Sequence, residues 1–161
     1  MTIQWYPGHM AKAKRMLQEN LKLVDAVAEI VDARAPEASR NPDFDGMFAS
    51  KARLILLNKA DLADEAMTRR FVEYYKSRGF LAAPIVSTGA AGRKQAVSLM
   101  ERAVSDKVRR MEEKGVKKTV RVMVVGIPNV GMFFPILRLA KTDWSGLLPT
   151  KLRTASAEIC T

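Results

Sequence analysis

Two short clusters in this chain carry residue types that bind nucleotides. "GIPNVG", Gly126 to Gly131, is a G-x-x-x-x-G segment directly after the apolar run "VRVMVV". Backbone N–H groups in such a turn, opening a helix, suit a phosphate without help from any side chain. A complete phosphate loop continues with Lys and then Ser or Thr. The ammonium offsets charge on the β- and γ-phosphates, and the hydroxyl holds Mg2+. Here Met132 and Phe133 take those places, and a thioether and a phenyl ring can do neither. Pro135 follows, removing an N–H and crowding the carbonyl near Gly131. The fingerprint G-x-G-x-x-G is absent, which disfavours a nicotinamide enzyme.

The second cluster is Asn58-Lys59-Ala60-Asp61, immediately after the apolar run "RLILLN". A carboxylate held edge-on accepts two hydrogen bonds from guanine, from N1–H and the exocyclic amino group. Such charge-assisted bonds contribute roughly 1.5–3 kcal/mol each. Asp61 is the candidate for that part, with the Lys59 stem along the base and Asn58 tying neighbouring loops together. The competing reading makes Asp61 a helix N-cap, since it precedes "LADEAM".

These clusters need a frame. Four apolar runs recur, "AVAEIV" (26–31), "RLILLN" (53–58), "LAAPIV" (81–86) and "VRVMVV" (120–125). Between them, 64–78 places Met67, Phe71 and Tyr74 or Tyr75 on one helical face. The segment 94–115 does the same with Val97, Met100, Val104, Val108 and Met111, and Gly115 is a candidate C-terminal cap. Alternating buried strands and amphipathic helices predict an α/β domain, a mainly parallel sheet with helices on both faces. Working residues then sit on loops at the strands' C-terminal ends. Each run ends in a polar cluster: "DARAPEASRNP", "NKAD", "STGAAG" and "GIPNVG".

Charge narrows the partners. With 27 Lys and Arg against 17 Asp and Glu, the formal net charge is +10. A field of that sign attracts polyanions within a Debye length of about 8 Å in physiological salt. From Arg102 to Arg121 the bases are Arg102, Lys107, Arg109, Arg110, Lys114, Lys117, Lys118 and Arg121, opposed only by Asp106, Glu112 and Glu113. That run alone reads equally as a solvated helix face. With Lys12, Lys14 and Arg15 near the N-terminus, nucleic-acid phosphates become the favoured partner. No apolar run is long enough to span a bilayer. The N-terminus has no signal core, and the single Cys160 forms no internal disulfide, so a cytoplasmic protein is expected.

Taken together and in order, "WYPGHMAKAKR", "VDARAPEASRNP", "LLNKAD", the "STG" turn, "KGVK" and "GIPNVG" resemble the circularly permuted GTPases, most closely the bacterial ribosome biogenesis GTPase A group. Guanine recognition ahead of the phosphate loop reverses the usual GTPase order. The resemblance covers roughly residues 1–131. It implies a P-loop GTPase-like fold in permuted order, GTP or GDP as ligand, Mg2+ as metal, and the large ribosomal subunit and its RNA as partners. It implies that Asn58, Lys59, Ala60 and Asp61 recognise guanine, and that the backbone at Ser87 and Thr88 contacts the base oxygen. Gly126, Asn129, Val130 and Gly131 form the first part of the phosphate loop. Asp32-Ala33-Arg34 matches the family's "DAR" element, a structural or rim-forming part. His9 matches a histidine that positions the attacking water, against the plainer reading of a turn residue beside Pro7 and Gly8.

The resemblance also sets expectations that this chain departs from. Residues 1–141 form a partial permuted GTPase domain of about four strands, stacked in the order 120s, 20s, 50s, 80s. That order leaves "VRVMVV" as an apolar edge. Residues 142–161 form a divergent tail without the family's Asp-x-x-Gly element, since "DWSG" (143–146) has no strand before it. Divergence over 132–135 and after Lys141 reads as a disrupted reading frame or a degenerate gene. The resemblance implies a GTP-binding, GTPase-type factor in assembly of the large ribosomal subunit, with hydrolysis in this chain expected to be absent or strongly impaired; the alternatives are a pseudo-GTPase that docks on RNA without hydrolysis, or a truncated fragment without function.

Overall fold

Each of the four apolar runs becomes a strand. In the computed structural model the backbone is described over residues 8–115 and 121–131, and side chains over 14–115 and 121–131. The strands are β1 (Ala26–Asp32), β2 (Ala52–Asn58), β3 (Leu81–Pro84) and β4 (Val122–Gly126). They form one sheet in the order β3-β2-β1-β4, with every neighbouring pair parallel. This is the expected order, and it brings all four polar loops to one rim.

The helices are α1 (Gly8–Leu21), α2 (Asp43–Met47), α3 (Glu65–Ser77) and α4 (Ala90–Glu112). Strand residues point alternately to the two faces, so near-continuous apolar strands need cover on both. On one face Ala28, Ile30, Leu54 and Leu56 meet Ala96, Leu99, Met100 and Val104 of α4. On the other, Val27, Met123 and Val125 pack with Leu17 of α1 and Phe44 of α2, while Val31, Ile55, Leu57 and Ala82 pack with Val72 and Tyr75 of α3. A fully buried Leu, Ile or Val contributes about 1.5–3 kcal/mol, so the strands are fixed from both sides.

Two helices differ from the sequence expectation, α3 in its buried face and α4 in where it starts. In α3 the buried stripe is Thr68, Val72 and Tyr75, whereas Met67 and Tyr74 are exposed. A polar Thr68 is tolerated inside because its hydroxyl donates to the Asp64 carbonyl at 2.7 Å. Helix α4 starts four residues before the expected Lys94, at Ala90. Its first turn lies so close to the Val86 backbone that a Cβ on Gly92 would overlap it. The helical α1 and the short α2 have no counterpart in the periodicity. Among the described residues, no helix is long and apolar enough to cross a membrane.

Between the two apolar clusters on the α1–α3 face lies a charged centre. Glu29, 2% exposed, is held by Arg40 at 3.0 Å and Arg53 at 3.1 Å, and both guanidinium groups also bind Asp45 at 2.7 Å. Arg53 lies over the Phe80 ring, 4.8 Å from its centroid. Burial works against the charge on Arg40, but its hydrogen bonds and attraction to Glu29 and Asp45 win and hold its pKa above the usual value. Arg40 thereby fastens the loop after β1 to the sheet.

Candidate nucleotide-binding site

Asn58, the last residue of β2, is 1% exposed. Its Nδ2 donates to the Val130 carbonyl at 2.8 Å, and its Oδ1 accepts from the Ser87 N–H at 3.0 Å. One side chain thus ties the ends of β2 and β3 to the loop after β4. Lys59 follows in the left-handed conformation, φ 59°. That turn sends its ammonium across to the Asn129 carbonyl at 2.5 Å and to Asp32 Oδ2 at 3.0 Å. Asn129 and Gly131 also have positive φ, 68° and 83°. At Gly131 only glycine fits, because a Cβ would overlap Asn58 Nδ2.

Asp61 lies in the 3-10 turn Ala60–Leu62 and is exposed. It does not cap α3, because Asp64 does, accepting the Met67 N–H at 2.7 Å. Among the described residues the Asp61 carboxylate has no partner, which leaves both oxygens for a ligand. Ser87 is buried, with its N–H already committed to Asn58, and the Gly89 N–H is bound to the Val86 carbonyl. Thr88, exposed on the same turn, has an N–H without a partner among the described residues, so of the two it is Thr88 and not Ser87 that has a backbone donor to offer.

On the other side of Lys59 opens a cleft of about 470 Å3, lined by Asp32, Arg34, Ser39, Lys59 and residues 127–130. Asp32 accepts from Arg34 Nε at 2.9 Å and Nη2 at 2.7 Å. The Arg34 side chain, with the Arg34 N–H and Lys59 adding, holds the Asp32 carboxyl well below the usual range against the opposing effect of burial. The buried Ser39 hydroxyl accepts the Asp32 N–H at 2.8 Å and fixes the loop from beneath.

The chain is 51% identical over 142 residues to the ribosome biogenesis GTPase A of Priestia megaterium, a match covering 87% of this chain and 49% of the relative. The structure of GNP-bound YlqF from T. maritima superposes with a TM-score of 0.55 at 34% identity, over 75% of this chain and 44% of that one. GDP-bound YlqF gives 0.58 at 31% identity, over 80% and 48%. Over the span they share, the chain is similar in sequence and in fold to the circularly permuted GTPases. It spans about half the length of the curated relatives it matches. No family model matches the chain.

As in the permuted order, β4, the strand that leads into Gly126–Gly131, comes last in sequence and lies beside β1 in space. Asn58, Lys59, Ser87, Asn129, Val130 and Gly131 meet in one network, while Asp61 and Thr88 stand on the open side of it. Ala60 holds the turn that carries Asp61, its N–H donating to the Ile85 carbonyl at 3.2 Å. Gly126 ends β4. The backbone of His9 belongs to α1, but its side chain lies outside the described residues, as do Met132, Phe133, Pro135 and the tail 142–161. The described residues do not make a Mg2+ site. Asp32, the carboxylate in the cleft, has both oxygens occupied by Arg34 and Lys59, and no group of three metal-ligating side chains gathers among them. Sequence reasoning missed Ser39, and it named Ser87 and Thr88 together where the Ser87 N–H is committed to Asn58. The clustering of "DARAPEAS" directly after a buried strand was the available signal for Ser39.

Proposed function

We propose that this chain is the guanine-nucleotide-binding part of a factor that assists assembly of the large ribosomal subunit, docking on ribosomal RNA through its basic surface. The observation that carries the reading is Asn58. It joins the base-recognition strand, the third loop and the phosphate loop, while Asp61 beyond it is left free to accept from guanine. Met132 and Phe133 favour binding over hydrolysis in this chain. Losing one electrostatic clamp on the reacting phosphate slows such chemistry by about 10^2–10^3, and both the ammonium and the hydroxyl are replaced.

The test is binding of fluorescent GDP and GTP, with and without Mg2+, with ATP as competitor. Micromolar binding that ATP does not displace supports the reading. No binding at millimolar nucleotide, alongside salt-sensitive binding to ribosomal subunits, leaves an RNA-docking pseudo-GTPase in its place.

A further inference from the structure

We infer that Arg34 is a terminal-phosphate-binding residue, supplying from the loop after β1 the positive charge that the phosphate loop lacks at Met132. This rests on the guanine-nucleotide reading above. Strand order gives the direction. Asp61 and Thr88 follow β2 and β3, so the base lies over that half of the rim, and the phosphates run toward β1 and β4. There the cleft opens between the loop after β1 and residues 127–130, with Arg34 and Lys59 both on its wall.

The donors in that cleft are only partly used. Of the five N–H donors of a guanidinium, Asp32 takes one on Nε and one on Nη2. Among the described residues, both on Nη1 and the second on Nη2 are uncommitted. Lys59 spends two of its ammonium protons on Asp32 and the Asn129 carbonyl, which leaves the third without a partner among those residues. Asp32 therefore braces Arg34 in a fixed fork and does not saturate it. One carboxylate against two cations leaves the cleft net positive. A planar fork with free donors matches two phosphate oxygens side by side, which an ammonium cannot do. At about 470 Å3 the cleft is large enough for a phosphate and its water.

The experiment compares GMP, GDP and GTP affinities of the wild-type chain, Arg34→Ala and Arg34→Gln by calorimetry, recording a thermal melt for each variant. GTP affinity is expected to fall by about tenfold or more in both variants, GDP by less, and GMP not at all. An equal loss for all three nucleotides, or none, overturns the inference. If the wild-type chain binds no guanine nucleotide, inorganic tripolyphosphate is titrated instead. Binding to wild type but not to the variants then keeps Arg34 as an anion-binding residue and removes the guanine reading. Equal or absent tripolyphosphate binding overturns the inference as well. Arg34 is exposed and its partner Asp32 retains Lys59, so both variants are expected to fold.

Discussion

A carboxylate at position 61 and an amide at position 58 perform opposite tasks from neighbouring places in one turn. Asn58 spends both ends of its side chain inside the protein, whereas Asp61 spends none among the described residues. In the proposed base site a carboxylate would accept two hydrogen bonds from guanine; an amide at the same place would accept one and donate one. Xanthine offers that reversed pattern, with N1–H beside a carbonyl. Asp61→Asn is therefore expected to weaken GDP binding by about tenfold to a hundredfold and to strengthen xanthosine diphosphate binding over wild type. Competition against a fluorescent nucleotide measures both, and unchanged base preference would remove Asp61 from the base site. The types and order of these residues were legible in the sequence because they are contiguous. The sequence left open whether Asp61 capped a helix; Asp64, three residues on, resolves that by taking the role itself.

At the scale of elements, the strands were legible because each is an unbroken apolar run, and their ends shifted by no more than two residues. The α3 stripe was right at Tyr75, one of the two tyrosines offered, and one position early before it, because Met67 and Phe71 also fall at helical spacing; the sheet buries Thr68 and Val72 and leaves Phe71 half-buried at the edge of the cluster. The charged centre was not legible. Glu29, Arg40, Asp45 and Arg53 lie on separate elements, and nothing in a linear pattern pairs Glu29 with Arg40. Removing one partner of a buried ion pair costs about 3–5 kcal/mol because the other charge stays buried. Arg53 would still neutralise Glu29, so Arg40→Leu is expected near 3 kcal/mol. Urea unfolding at neutral pH measures the difference. A cost below about 1 kcal/mol would mean that apolar packing, not Arg40, holds the loop after β1. The loop also carries Asp32, Arg34 and Ser39, so the same variant is expected to loosen the cleft as well as the fold.

For the whole molecule, charge and folding are coupled through the carboxylates. Asp32 is held low by Arg34 and Lys59. At Asp45, burial raises the pKa but hydrogen bonds from Arg40 and Arg53 outweigh it. A depressed folded value means the unfolded chain binds protons first, near pH 4, so stability rises with pH through that region and is complete above about pH 5. It is lost as pH falls toward the folded values. The same fall protonates the other acids, and the 27 Lys and Arg then stand almost unopposed by the 17 carboxylates that moderate them at neutral pH. Both effects act in one direction, so the chain is expected to unfold steeply below about pH 4. Asp32→Asn separates them. It should be less stable than wild type at pH 7, with the gap narrowing between pH 5 and pH 2 while the repulsion is shared. A gap that stays constant over that range would mean the carboxylate charge of Asp32 does not link folding to pH. The two cations that hold Asp32 low are also the two that line the cleft. A bound polyphosphate competes with Asp32 for them, and the acid sensitivity of the fold should then shift when such an anion is present.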